Sequence, residues 1–277
     1  GLGSFRNHEF FEASSIRKDG DRYIFVYSSR HNHELCYAVS DRPDGGFRYG
    51  GTLVSLGDLF MDGREEEKDG LNYLGNTHGG MLNIGDDWYI FYHRQTNRHS
   101  YSRQACAEKL IRTPDGHFLQ AEVTSCGLNG KPLEGKGRYE ARIACNLWSK
   151  DGVGRYDGSN PKGRLKNHPY FTQSGKDREK DGDQFIANMR DGSVAGFKYF
   201  VLSDLRRIEV ALSGSAEGVM ELSFTPDFSV INSVIVVRLE GKQKSFSGNV
   251  SADDGVKPLY FRFCGQGYVN FHSFELK

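Results

Sequence analysis

The sequence has no excess of charge of either sign and no long apolar run. Its 36 Lys and Arg residues balance its 36 Asp and Glu residues, so the formal net charge is zero. A neutral chain lacks the basic surface that nucleic acid or an anionic membrane attracts, and no apolar run is long enough to cross a bilayer. We therefore expect neither nucleic acid nor a membrane as a partner, whereas a neutral polymer such as a polysaccharide is compatible.

Paired cysteine motifs and a visible signal peptide are also missing. No C-x-x-C pair occurs, which argues against a zinc ribbon or a dithiol redox site. Because the cysteines are odd in number and widely spaced, we expect most of them to be buried free thiols. The five residues are Cys36, Cys106, Cys126, Cys145 and Cys264.

Proline is scarce, with 7 residues, whereas glycine is abundant, with 34, and aromatic residues reach 13%. Glycines between aromatic and β-branched runs indicate many turns between strands. No segment has convincing helical periodicity. The sequence therefore predicts an all-β protein, and its 277 residues suit one large domain or two ordinary ones.

The first half reads as repeated antiparallel hairpins, which are typical of a sandwich, a barrel or a propeller. A polar run over 56–71 is predicted as a solvated loop or short helix. The strands that we predict in this half are 23–28, 35–40, 47–54, 79–84, 88–92, 106–111 and 118–123.

The second half predicts one β-sandwich, because seven apolar or alternating segments fall within roughly 110 residues. These segments are 184–189, 195–202, 207–213, 218–224, 234–239, 259–264 and 269–276. A Gly-rich, less regular stretch precedes them and is predicted to pack between the two β regions. We divide the chain into 1–125, 126–168 and 169–277.

Two segments of the first half are more specific. FFEASSIRK, from Phe10, leads into YIFVYSS and ELCYAVSDRPDGGF, and GNTHG, from Gly75, leads into DDWYIFYHR. In this order and spacing they resemble glycoside hydrolase family 43, which includes β-xylosidases and α-L-arabinofuranosidases. The resemblance covers about residues 5–125 and implies the later blades of a five-bladed β-propeller that hydrolyses xylan, arabinoxylan or arabinan.

The resemblance implies an inverting mechanism with Glu12 as the general acid. Inversion uses two carboxyl groups about 6.5–9.5 Å apart, one acid and one base. Glu12 follows two phenylalanines, and apolar surroundings raise a carboxyl pKa toward the range useful for proton donation. Taken alone, the residue reads more readily as an ordinary exposed carboxylate at the end of a strand.

Other site residues follow from the same resemblance. His78 is placed at the propeller axis, next to a water-coordinated cation such as calcium or to water alone, although no cofactor is required for the chemistry. Arg94 is predicted to reach the sugar, and Phe11 is an aromatic candidate beside the pocket, as is Trp88. Without the resemblance, His78 reads as a core histidine and Arg94 as a surface arginine.

The family's base Asp and the Asp that tunes the acid have no match here, because both belong to upstream blades. We therefore name no base and expect the missing blades from a longer form of the protein or from another chain. The alternative is a non-catalytic carbohydrate-binding protein or an inactive fragment that lacks the general base. The predicted location is extracellular or periplasmic rather than cytoplasmic.

The last third resembles carbohydrate-binding module family 6, a lectin-like jelly-roll sandwich that often holds calcium. The resemblance rests on DQFIANMRDGS from Asp183, on GFKYF and on LYFRFCGQGYVNFHSFEL. It implies a sugar contact at Asn270, although a Trp expected within 248–258 is missing, so that a sandwich that only buttresses the propeller is an equal alternative. Asp177, Asp181 and Asp183 carry oxygen ligands for calcium or form a solvated acidic loop.

Overall fold

The computed structural model describes residues 5–153, 166–176 and 183–277, and these residues form an almost entirely β protein. Two antiparallel sheets come first, of four and three strands, and in both each strand pairs with the next one along the chain, as in propeller blades. Their strands are β1 (Phe10–Asp19), β2 (Arg22–Ser29), β3 (Leu35–Ser40), β4 (Arg48–Val54), β5 (Gly79–Ile84), β6 (Asp87–Thr96) and β7 (His99–Leu110).

The two blade-like sheets share a core because their strands alternate inward and outward side chains. Ile24 and Val26 of β2 pack with Met81 and Ile90 of the second sheet. Gly79 permits the close approach, since a Cβ there would lie 1.9 Å from the carbonyl oxygen of Phe91. This packing sets the position of the segment just before β5.

The remaining strands form one nine-stranded arrangement with a separate aromatic core. Its central strands are long and continuous, and β14 pairs with both β15 and β16. The strands are β8 (Leu133–Glu134), β9 (Gly137–Glu140), β10 (Asn146–Trp148), β11 (Tyr170–Gln173), β12 (Gln184–Met189), β13 (Ser193–Leu202), β14 (Arg207–Ser223), β15 (Ser233–Asn249) and β16 (Gly255–Leu276). The all-β prediction, with propeller-type sheets followed by a sandwich, is confirmed.

Three features differ from the predicted strands. The segment 118–123 forms only isolated bridges, because Phe118 and Val123 pack directly into the core of the first two sheets. The segments 207–213 and 218–224 are one strand, and so are 259–264 and 269–276. Glycines do not interrupt these strands, because they sit where β14 and β16 approach closely: a Cβ at Gly218 would lie 2.2 Å from the carbonyl oxygen of Cys264.

The predicted connecting segment contributes strands to the sandwich. β8 and β10 pair with β13, and β9 pairs with β16. All five cysteines are free, with Cys36 and Cys145 buried and the other three half-buried. Short 3-10 helices cover Glu67–Asp69, Gly127–Asn129 and Ala141–Ile143. Within the described residues, no helix has the length and apolar character needed to cross a membrane.

A buried ionic network joins the sandwich to the first two sheets. Lys198 of β13 donates to Asp58 at 2.9 Å and to Glu122 at 2.7 Å, and Tyr199 donates to the same glutamate. Burial works against the charge of Lys198, but the negative groups around it, Asp58 and Glu122 among them, raise its pKa above the ordinary value. The ammonium group is therefore held charged at the junction.

A second buried carboxyl group, Glu108 of β7, makes stability depend on pH. It accepts hydrogen bonds from Tyr92 and from the amide and hydroxyl of Thr124, yet burial raises its pKa to about 8 from an ordinary 4.5. Between these values the folded state holds a proton that the unfolded state has lost, so the free energy of unfolding falls as pH rises.

Replacing Glu108 with Gln is expected to remove this fall, because an amide keeps the shape and does not ionise. The parent's free energy of unfolding should decline relative to that of Glu108→Gln by up to about 1.4 kcal/mol per pH unit within this window. Urea unfolding of both proteins from pH 5 to pH 8 measures it. Parallel pH profiles for the two proteins would contradict the prediction.

Candidate active site

Glu12 lies near the start of β1, where the strand is irregular. The pairing with β2 shifts register on both sides of Glu12, and Ala13 has a positive φ of 61°. Such bulges redirect a side chain out of the regular pleat. The Glu12 carboxylate is 40% exposed, and its Oε1 lies 2.6 Å from Nε2 of His78.

His78 reaches Glu12 from the segment before β5. Gly75 and Asn76 both have positive φ, so the chain turns sharply here. Ser28 of β2 donates a 2.8 Å hydrogen bond to the carbonyl oxygen of Thr77, which ties the turn to the first sheet. The two family-like segments, far apart in sequence, are therefore held together in space.

Two more imidazoles complete what we term the Glu12 cluster, namely Glu12, His33, His78 and His93. His33, in the turn between β2 and β3, has its Nδ1 3.9 Å from Glu12 Oε1. The rings of His78 and His93 lie 5.3 Å apart. Burial, followed by the positive charges of Arg103 and His78, lowers the pKa of His93 to about 4, so this ring is neutral near pH 7.

The surroundings of Glu12 differ from the apolar pocket that its sequence suggests. The Glu12 carboxylate lies next to the imidazoles of His78 and His33. Phe11 packs on the His33 ring, with the ring centroids 4.9 Å apart. Phe11 is 46% exposed and is thus an accessible aromatic face beside the cluster. Trp88 instead packs edge-on against Phe118 in the shared core.

Arg94 does not reach this cluster. It is buried, and its guanidinium donates to Gln104 and to the carbonyl oxygens of Arg142 and Ala144, with its centre 3.6 Å from the Phe171 ring. Neighbouring residues of a strand face opposite sides, so His93 faces His78 while Arg94 faces the connecting segment. The geometry corrects the expectation of a sugar contact, and gives Arg94 a structural role.

Arg103 of β7 is the exposed cation of this region and was not singled out by the sequence. Its Nη2 donates to Asn76 Oδ1 at 2.9 Å, within the turn that carries His78. Arg103 lies opposite Gln95 in the pairing of β6 with β7, a register that the structure alone shows. Arg103, rather than Arg94, is available to meet a ligand beside Glu12.

The residues around His78 do not form a complete cation site by themselves. Its Nε2 is hydrogen-bonded to Glu12, and no group of three His, Cys, Asp or Glu ligands is found there in the described part of the chain. Calcium takes six to eight oxygen ligands, which is more than these side chains supply. Of the predicted sandwich ligands, Asp177 and Asp181 lie outside the described residues, and Asp183 belongs to no such group.

Asn270 of β16 is used inside the sandwich. Its Oδ1 accepts from the backbone amide of Asn188 at 3.1 Å, and its Nδ2 donates to Ser213 at 3.4 Å. Asn188 has a positive φ of 61°, so this contact holds an unusual backbone position. The structure thus gives the Asn270 amide a role in the fold rather than leaving both of its ends for a sugar.

Comparisons with known proteins agree with these features. A xylosidase/arabinosidase of Thermoclostridium stercorarium is 42% identical over 98% of this chain, which spans 57% of that relative's length. A β-xylosidase of Xylanibacter ruminicola is 32% identical over 40% of this chain and 31% of its own length. No protein-family model matches the chain.

One solved structure has the same fold over nearly the whole chain. It is a glycoside hydrolase family 43 arabinoxylan arabinofuranohydrolase from Bacillus subtilis, with a TM-score of 0.51, 18% identity, and coverage of 97% of this chain and 54% of that chain. The resemblance to family 43 that the two motif segments indicate is confirmed. The chain is thus a homologue of a xylosidase/arabinosidase, with propeller-type sheets followed by a β-sandwich, the fold also found in a family 43 glycoside hydrolase.

Proposed function

We propose that this chain is part of a glycoside hydrolase that cleaves xylan- or arabinoxylan-type polysaccharide, with Glu12 as the general acid. The observation that carries the proposal is the 2.6 Å contact between Glu12 Oε1 and His78 Nε2. It joins the two segments that resemble the family into one solvent-accessible group. The names of the xylosidase/arabinosidase relatives support the substrate class.

The role of each residue follows from its contacts. Glu12 donates a proton to the oxygen of the departing sugar, and His78 orients its carboxyl group through Oε1. His93, held neutral, packs beside His78 and adds no positive charge to the site. Arg103 offers N–H donors to sugar hydroxyls, and Phe11 offers an aromatic face to the apolar side of a sugar ring.

The base that activates water is proposed to come from outside these residues. An inverting glycosidase keeps its two carboxyl groups about 6.5–9.5 Å apart, and no segment of this sequence matches the motif that carries the base Asp in the family. Since the chain spans 57% of its relative, upstream blades of a longer protein are the proposed source.

Hydrolysis of aryl β-xyloside and aryl α-L-arabinofuranoside tests the proposal, using the longest form of the protein that contains these residues. Turnover of one substrate that is lost in Glu12→Gln supports glycosidase activity and identifies the sugar. A protein that binds xylo-oligosaccharides but turns over neither substrate would instead support the carbohydrate-binding alternative. Equal turnover by parent and variant would remove Glu12 from the mechanism.

A further inference from the structure

A group of three metal-ligating side chains lies outside the Glu12 cluster, in the first sheet. Nδ1 of His8 is 3.1 Å from Oε1 of Glu34 and 3.9 Å from Sγ of Cys36. The nitrogen, oxygen and sulfur atoms all lie within 4.8 Å of one another. One small ion placed between them would contact all three atoms after only slight adjustment.

The fold holds these side chains in place. Glu34 and Cys36 are two residues apart where β3 begins, so they point to the same face. The backbone amide of Ser29 donates to the carbonyl oxygen of Glu34 at 2.9 Å. Tyr27 donates to the carbonyl oxygen of His8 at 2.7 Å, and the His8 ring stacks on Tyr49 with centroids 4.6 Å apart.

Buried polar atoms of this group lack close hydrogen-bond partners in the protein. The side chain of Glu34 is 0% exposed, and its Oε2 has no hydrogen-bond partner within the described chain. A buried carboxylate oxygen without a partner is costly. Cys36 is also fully buried, and its sulfur has only long polar contacts beyond His8, with Thr52 Oγ1 at 3.7 Å and the Tyr49 hydroxyl at 4.0 Å. A cation would satisfy both groups.

We propose that His8, Glu34 and Cys36 bind a thiophilic divalent cation of the zinc class. Zinc accepts cysteine sulfur, histidine nitrogen and carboxylate oxygen at about 2.0–2.3 Å in a tetrahedral arrangement, whereas calcium and magnesium prefer oxygen ligands alone. Binding releases the proton of the Cys36 thiol to solvent.

The site has a route to solvent through His8. His8 is 23% exposed, so one of the three ligands borders the protein surface. A cavity of about 540 Å³ adjoins His8 and offers access for the ion. The cavity is lined by Asn7, His8, Glu9, Arg30, His31 and Phe60.

Cobalt titration of the full chain, after removal of metal with a chelator that is then dialysed away, tests the proposal. We expect saturation at one equivalent, with a thiolate-to-cobalt charge-transfer band and the visible bands of a tetrahedral ion, both abolished by added zinc. Cys36→Ser should lose the charge-transfer band. The matched control is Cys264→Ser, whose half-buried thiol contacts Glu221 outside this group, and it should keep the band.

Glu34→Gln supplies an independent variant that keeps the thiol and the side-chain shape. Zinc should raise the Tm of the parent, and the zinc affinity of the variant should fall by at least about 10-fold, since even residues outside the ligand set change affinity by that much. A parent without the charge-transfer band, the same band in Cys36→Ser, or equal zinc affinity in Glu34→Gln would each overturn the proposal. If Cys36→Ser does not fold, the parent and Glu34→Gln decide it.

Discussion

Glu12→Gln is expected to lower kcat/KM for an aryl glycoside with a poor leaving group by about 10²–10⁴-fold, the usual contribution of general acid catalysis. The amide keeps the shape of the carboxyl group beside His78 but has no proton to transfer to the departing oxygen. A dinitrophenyl glycoside, whose leaving group departs without protonation, should lose far less. The difference between the two substrates is the signature of a general acid.

The pH profile gives a second readout of the same change. In an acid–base mechanism the alkaline limb of kcat/KM follows deprotonation of the acid in the free enzyme, so this limb should disappear in Glu12→Gln. Glu9→Gln is the matched control, because Glu9 lies three residues upstream and accepts a hydrogen bond from the backbone of Asn7. Losses of equal size for both leaving groups would mean that Glu12 acts structurally.

Replacing Lys198 with Met is expected to destabilise the protein by about 3–5 kcal/mol, the usual cost of leaving a buried charge without its partner. The side chain is 2% exposed, and its removal isolates Asp58, which is 0% exposed. Because the pair joins β13 to the loop after β4, the sandwich and the first two sheets should both lose stability. Urea unfolding, followed by circular dichroism and by tryptophan fluorescence, measures the loss in both parts.

Two control variants distinguish the effect of this buried network on stability from the effect of an exposed ion pair. Lys277→Met removes a half-exposed lysine that pairs with Glu209 and Glu275, and such solvent-exposed pairs contribute little to stability. The double variant Lys198→Met with Asp58→Asn should recover part of the loss, because it removes the stranded charge. A Lys198 variant no less stable than the Lys277 variant would show that the network does not hold the two parts together.

Local sequence patterns predict some strands of this protein correctly and others not. Strand β3 was predicted over the residues that form it, because LCYAVS lies between clear turn signals. The segment 118–123 has the same local pattern, yet it forms no strand because its apolar residues fill a core made by distant elements. The local pattern indicates which residues are buried. Whether they are buried within a strand or within a loop depends on the packing of distant elements.

The candidate site shows the same limit at the level of single residues. The motifs singled out Glu12 and His78, and the structure brings these two side chains into contact. In the YHR run, however, Arg94 was assigned to the sugar, whereas His93 is the residue that faces His78. Neighbouring residues of a strand lie on opposite faces of the sheet. A sequence motif alone does not show which of two neighbours faces the site.

The sequence by itself determined the all-β class and the repeated hairpins followed by a sandwich, and its resemblance to family 43, carried by two short motifs, implied the propeller and singled out Glu12 and His78. Each depends on turn residues, alternation or a short motif, which are local properties of the chain. Only the tertiary structure decided that Arg94 and Asn270 serve the fold, that Lys198 closes a buried network with Asp58, and that His8 meets Glu34 and Cys36. These contacts join residues from separate segments, and their geometry exists only once the sheets have packed.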